Sequence, residues 1–156
     1  SVYRHFPSKA SLREAVAKRW LDRLSAPLLK IAEASGPAPA RLEKWLRTMF
    51  SIKHERLGDD PEMFATYLTL AREACKSVNC HKDCLVDQIA LILSDGVKQG
   101  AFEVADVKVS ARAIFDATSR FHHPAHAEEW NEPGAPARID ALLALLLKGL
   151  EAPRKR

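Results

Sequence analysis

The chain has no apolar run approaching the roughly 20 residues needed to cross a bilayer, and it does not open with the charged, apolar and small-residue order of an export signal. A cytoplasmic location is therefore expected. It holds three cysteines, Cys75, Cys80 and Cys84, an odd number crowded into one stretch, which excludes a secreted disulfide framework and points to reduced thiols. No stretch alternates apolar and polar residues long enough to argue for a sheet. Nucleophile motifs, glycine-rich phosphate loops and paired catalytic carboxylates are missing, so nothing speaks for an enzyme, and no cofactor is expected. Internal repeats and low-complexity segments are absent as well.

What remains is a helical, globular composition. At 156 residues, 47% hydrophobic and 28% charged, the chain is long enough to bury a core without a metal or disulfide and too apolar to stay disordered. The net charge of +4 draws on an N-terminal cluster (Arg4, Lys9, Arg13, Lys18, Arg19) and on the tail Arg154, Lys155, Arg156. That bias is compatible with a phosphate backbone near the N-terminus, although helical proteins without such a partner are often as basic.

Apolar spacing of three and four residues predicts an all-α fold. Ser8 is placed to cap a helix whose stripe is Leu12, Ala15, Val16, Arg19 by its stem, Trp20 and Leu24, with Pro27 as a kink or restart. After the turn residues 35–39, Leu42, Trp45, Leu46, Met49, Phe50 and Leu57 follow helical spacing. Asp60 and Pro61 read as an N-cap and first-turn proline for a helix burying Phe64, Tyr67, Leu68, Ala71, Ala74 and Cys75. Asn79 is expected to cap a further helix through Leu85, Ile89, Ile92, Leu93 and Val97, closed at Gly100. Another is predicted from about Asp106 to Phe121, and the last, from about Ala137 to Leu150, is apolar on nearly all faces. A short soluble helix of that kind calls for cover from its own body and from a second subunit.

The opening Ser1-Val2-Tyr3-Arg4-His5-Phe6-Pro7-Ser8-Lys9-Ala10-Ser11-Leu12 resembles the junction, in tetracycline-repressor-type regulators, between the recognition helix of the helix-turn-helix and the connecting helix after it. The resemblance implies that residues 1–7 end the recognition helix, as the remnant of an N-terminal DNA-reading domain whose earlier helices are not in this sequence. It further implies a connecting helix over 8–24, a ligand-binding and dimerisation domain over 25–152 and a basic tail over 153–156. Tyr3, Arg4, His5 and Lys9 become the expected DNA contacts, Tyr3 and Lys9 toward phosphate and Arg4 and His5 toward base edges. A lysine in a helix's first turn is odd for the macrodipole, and a nearby phosphate would account for it.

The same resemblance implies a homodimer in which the last two helices of each subunit form a four-helix bundle, and a repressor released from operator DNA by an effector. Ile114, Thr118, Ile139, Leu142, Leu143, Leu146 and Leu150 are the expected interface. Trp45, Met49, Phe64, Tyr67, Phe115, Phe121 and His122 are the expected lining of an effector pocket for a small, largely apolar molecule, with Tyr67 as a polar handle. Single aromatics at helical spacing are equally readable as ordinary core.

Two clusters stay open. Cys75, Cys80, His81 and Cys84, beside Asp83, hold the right atom types for a zinc or thiol switch, but the spacing matches no usual zinc pattern and the thiols read equally as structural. No metal is assigned. His122, His123 and His126 around Pro124 read as a polar corner at a dimer edge or pocket rim, or as ligands. A helical interaction module that does not bind DNA is the rival from another class, and a thiol- or metal-responsive regulator is a variant of the first reading.

Overall fold

The computed structural model describes residues 8–72 and 76–155. Among them the regular structure is helical, in the order α1 (Lys9–Glu33), α2 (Ala38–Asp59), α3 (Pro61–Arg72), α4 (Lys76–Lys98), α5 (Val107–Ala117) and α6 (Ala135–Leu150), with 3-10 turns at Ser119–Phe121 and Pro124–Glu129 between the last two.

Local chemistry sets several of the boundaries. Ser8 caps α1 by accepting the Ser11 N–H at 3.1 Å, Asp60 caps α3 by accepting that of Met63 at 3.0 Å, and Asp106 caps α5 through Val109 at 3.0 Å, each satisfying a donor that a helix start leaves orphaned. Gly100, at φ +72°, adopts the left-handed conformation that closes α4.

Three boundaries and one buried stripe differ from the sequence expectation. Pro27 neither stops nor restarts the first helix, which runs unbroken to Glu33. A proline costs a helix one backbone hydrogen bond and some steric strain, and burial of Leu24, Leu28 and Ala32 on the inner face offsets it. The buried stripe is also rotated from the expected one: Ala17, Trp20, Leu21 and Leu24 point inward, while Val16 and Arg19 face solvent. Asn79 is not a cap, because α4 already includes residues from Lys76 onward. Finally, α5 ends at Ala117, four residues short of Phe121, where Thr118 turns its hydroxyl back onto the carbonyls of Ile114 and Phe115 and the chain tightens into the 3-10 turn.

Two apolar clusters hold the helices. The larger gathers Leu42, Trp45, Leu46 and Met49 of α2, Leu85, Ile89, Ile92 and Leu93 of α4, and Phe115 of α5. The smaller sets Trp20, Leu21 and Leu24 of α1 against Phe64 and Tyr67 of α3 and Trp130. Of the remaining stripe residues expected on α3, the side chains of Ala71, Ala74 and Cys75 lie outside the described structure.

Polar side chains fix the α1–α2 corner. Arg41, buried, donates to the Ala32 carbonyl at 2.5 Å and pairs with Asp95 of α4 at 2.7 Å, while Gln99 accepts the Ala38 N–H and donates to the Gly36 carbonyl, both at 2.9 Å. At the other end of the body, the Glu103 N–H donates to Leu150 at 2.9 Å and the Ala152 N–H to Ala101 at 3.0 Å, so the end of α6 is stitched to the turn that follows α4.

Candidate functional site

Lys53 belongs to the inner face of α2, one turn beyond Met49 and Phe50, and its side chain is 3% exposed. The ammonium points into a cavity of about 220 Å³ walled by α2, α3, α4, α5 and the segment after α5. Its Nζ lies 3.2 Å from Nε2 of His81 and 5.0 Å from the centroid of the Tyr67 ring, a cation–π contact. Among the described residues no carboxylate pairs with it. Burial therefore goes uncompensated and pushes the Lys53 amine down to about 7, with the nearby charge of Lys82 acting in the same direction.

The neighbouring groups are held neutral by the same desolvation. His81 is lowered to about 2, by burial first and then by Lys53, so its Nε2 is a free acceptor for the amine. His122 is lowered to about 3 by burial, and its Nε2–H donates to the Phe115 carbonyl at 3.0 Å. Burial raises the Tyr67 phenol to about 12, which keeps it protonated. Lys82, Arg112 and Asp116 stand at the cavity wall, the last two paired with each other at 3.0 Å.

His81 has a second exposure. It also lines a groove of about 440 Å³ between α1 and α4, together with Lys18, Leu21, Asp22 and Ser25 of α1 and Lys76, Cys80 and Cys84 of α4. His81 is thus shared between the Lys53 cavity and the groove that faces α1.

Of the residues expected to line a pocket, Tyr67, Phe115 and His122 meet around this cavity. Trp45 and Met49 do not reach it. They are closed into the larger core, where the Trp45 indole donates to Gln88 at 2.9 Å. Phe121 is core as well, its ring 5.8 Å from that of Phe50, and Phe64 packs behind Tyr67 in the smaller cluster. Lys53, Lys82 and Arg112 were not anticipated. The signal was there for Lys53: it falls at i+4 from Met49 and i+3 from Phe50, on the stripe that resumes at Leu57, so a charge had to be buried or the stripe broken.

The other expected sites are placed as follows. Tyr3, Arg4 and His5 lie outside the described residues; Lys9 is exposed in the first turn of α1, which carries no acidic residue. Ile114, Thr118 and Leu143 of the expected interface are buried within the chain itself, whereas Ile139, Leu142, Leu146 and Leu150 are half-buried. The large apolar residues most open to solvent on these helices are Leu145, 71% exposed, and Val109, 65% exposed. Cys80 and Cys84 are exposed, Cys75 is outside the described residues, and no group of three His, Cys, Asp or Glu among the described residues is arranged to hold a metal. His123 caps the second 3-10 turn by accepting the Ala125 N–H at 3.1 Å, and His126 approaches Glu129 at 3.4 Å, so these two form a polar corner beside the buried His122. No helix among the described residues is long and apolar enough to cross a membrane.

Residues 38–143 match the family described as tetracyclin repressor-like, C-terminal domain. A crystal structure described as the TetR transcriptional regulator SCO0520 from Streptomyces coelicolor is similar with a TM-score of 0.58 and 21% identity, covering 97% of this chain and 79% of that one. At that identity the likeness speaks for the fold. No curated protein sequence matches the chain.

Proposed function

The chain belongs to the tetracyclin repressor-like C-terminal domain family, and from that premise we propose that it is the sensing and dimerising body of a DNA-binding transcriptional regulator, a repressor that a small effector releases from its operator. The observation that carries the reading is the run of α1. It extends without a break from Lys9, beside the motif Tyr3-Arg4-His5-Phe6, to Glu33, and along the way it faces His81 across the α1–α4 groove.

The mechanism follows from that placement. An effector in the Lys53 cavity changes the surroundings of His81, α4 shifts against α1, and α1 carries the shift to the DNA-reading head. A homodimer sets two heads apart to match the half-sites of a pseudo-palindrome, so a small change in their spacing weakens both contacts together. Coupling of this kind requires only that the effector prefer one arrangement, by about 1 to 3 kcal/mol. Tyr3 and Lys9 serve phosphate contacts in this reading, and Arg4 and His5 reach base edges.

Dimerisation uses the outward faces of α5 and α6. With Ile114, Thr118 and Leu143 committed to the protomer's own core, the contact surface consists of Leu145 and Val109, with the half-buried Leu142, Leu146, Ile139 and Leu150 beneath and beside them.

The test is selection from random duplexes by the protein carrying its complete helix-turn-helix. Enrichment of a palindrome, weakened by Tyr3→Ala and by Lys9→Ala, with a shallower salt dependence for the lysine variant, is the expected result. No enriched sequence, with both variants binding DNA as the wild type does, would remove DNA reading and leave a helical interaction module.

A further inference from the structure

Lys53 is a buried cation with a cavity in front of it, and the groups around it fall into two sets. Tyr67, Leu85 and Phe115 supply apolar wall, and Lys82 and Arg112 add positive charge. Among the described residues the one carboxylate at the wall, Asp116, is exposed and already engaged by Arg112 at 3.0 Å. An ammonium has three donors. His81 takes one at 3.2 Å, and the Tyr67 ring offers a π face at 5.0 Å. Neither neutralises the charge. A buried charge without a counter-ion is costly, and a protein without a use for it is more stable with an apolar residue there.

We infer that the Lys53 cavity is a binding site for a small organic monocarboxylate, whose carboxylate takes the free donors of Lys53 and whose short apolar part lies against Tyr67, Leu85 and Phe115. The inference deepens the effector reading by naming the chemical class, and it corrects the expectation of a largely apolar molecule. The carboxylate would supply a counter-charge that no described residue provides, so its binding favours the ammonium form of an amine that burial otherwise holds at about 7. A neutral isostere of the same shape gains the wall contacts and nothing from the charge. Because His81 bridges to the α1–α4 groove, the bound anion acts one residue away from α1.

The experiment is calorimetric titration of the full chain at pH 7, without DNA, with benzoate, phenylacetate and hexanoate, each beside its own neutral amide. At least one acid should bind ten-fold or more tightly than its amide. Lys53→Met should erase that preference, and Lys53→Gln, which keeps a donor for His81 but no charge, should erase it too if the methionine variant fails to fold. Three results would overturn the site: no acid binds, amides bind as well as acids, or the neutral variants keep the preference. The outcome is separable from the fate of the regulator reading. An acid that binds without changing operator affinity would sink the regulatory role and leave the site, and a sequence-specific DNA-binding protein that no acid touches would do the reverse.

Discussion

Nζ of Lys53 and Nε2 of His81, 28 positions apart in sequence, meet at 3.2 Å in the interior with no described carboxylate to balance the amine. The stability of the protein therefore depends on pH in a defined direction. An amine held at about 7 in the folded chain and near 10.5 in the unfolded one binds more protons unfolded between those values, so stability rises with pH there. Comparing thermal melts of wild type and Lys53→Met from pH 7 to pH 9 isolates this contribution. The wild type should gain on the variant by about 1 kcal/mol per pH unit, and the variant should be the more stable at pH 7. Parallel curves would mean that Lys53 is not buried as a titrating amine.

His81 and His122 act on the acid side. Both are depressed below their ordinary range, to about 2 and about 3, so below pH 6.5 the unfolded chain takes up protons that the folded chain refuses. Stability is thus lost as the pH falls from 6.5 toward 4. His81→Gln keeps an acceptor for Lys53 and removes one titrating group, and its melting temperature should fall less steeply over that range. An unchanged slope would place His81 in contact with solvent.

Gly96 makes room for an aromatic ring. A Cβ built on it would run into the Phe102 ring, and the Phe102 N–H is tied to the Gly96 carbonyl at 3.1 Å, so the ring cannot simply retreat. Gly96→Ala should therefore destabilise by about 1 to 3 kcal/mol in denaturant melts, against the stabilisation alanine normally brings to a helix. Phe102→Leu in the same background should recover part of the loss.

Trp45 and Gln88 form a polar contact inside the larger core, indole N–H to amide oxygen at 2.9 Å. Gln88→Leu leaves a buried donor unsatisfied and should cost about 1 to 3 kcal/mol. The double variant Trp45→Phe with Gln88→Leu removes both partners, and the two losses should add to more than the measured total. Strict additivity in this cycle would show that the bond contributes nothing.

Leu145 tests the proposed association surface of α6. Being 71% exposed, it can become glutamate with little effect on the folded protomer, within about 0.5 kcal/mol. Sedimentation of Leu145→Glu should show a shift from dimer to monomer, and an unaltered dimer would exclude this face.

The helical architecture was legible because caps and stripes agreed with each other. Asp60 before Pro61, Asp106 before the Val107 stripe and Gly100 after α4 all mark boundaries that the structure keeps. Pro27 misled because its local cost is visible in sequence, while the burial of Leu28 and Ala32 that outweighs it belongs to tertiary packing. The site was half legible for a related reason. Tyr67, Phe115 and His122 stood out as aromatic or polar tips at helical spacing, whereas Lys53 did not stand out, since a lysine on an apolar stripe ordinarily reaches outward along its stem. Its inward course depends on α4 bringing His81 opposite it, a pairing across two helices that no local pattern encodes.

The stitch between the end of α6 and the turn after α4 makes that corner a pivot. The Gly96 carbonyl accepts from the Ala101 and Phe102 N–H groups, and Ala101 in turn accepts from Ala152, so the last turn of α4 and the exit of α6 are coupled through main chain and not only through side chains. From the pivot, α6 extends 16 residues, roughly 24 Å at 1.5 Å per residue. About a third of the way from its start, the Arg47–Asp140 ion pair, 2.8 Å long and open to water, adds a weak tether to the burial of Ala135 and Leu143. A rotation of about 5° at the pivot would sweep the start of α6 through roughly 2 Å over such a length. Because Leu143 of α6 belongs to the larger core and Ala135 at its start is buried, the core face of the helix would have to move with any such sweep.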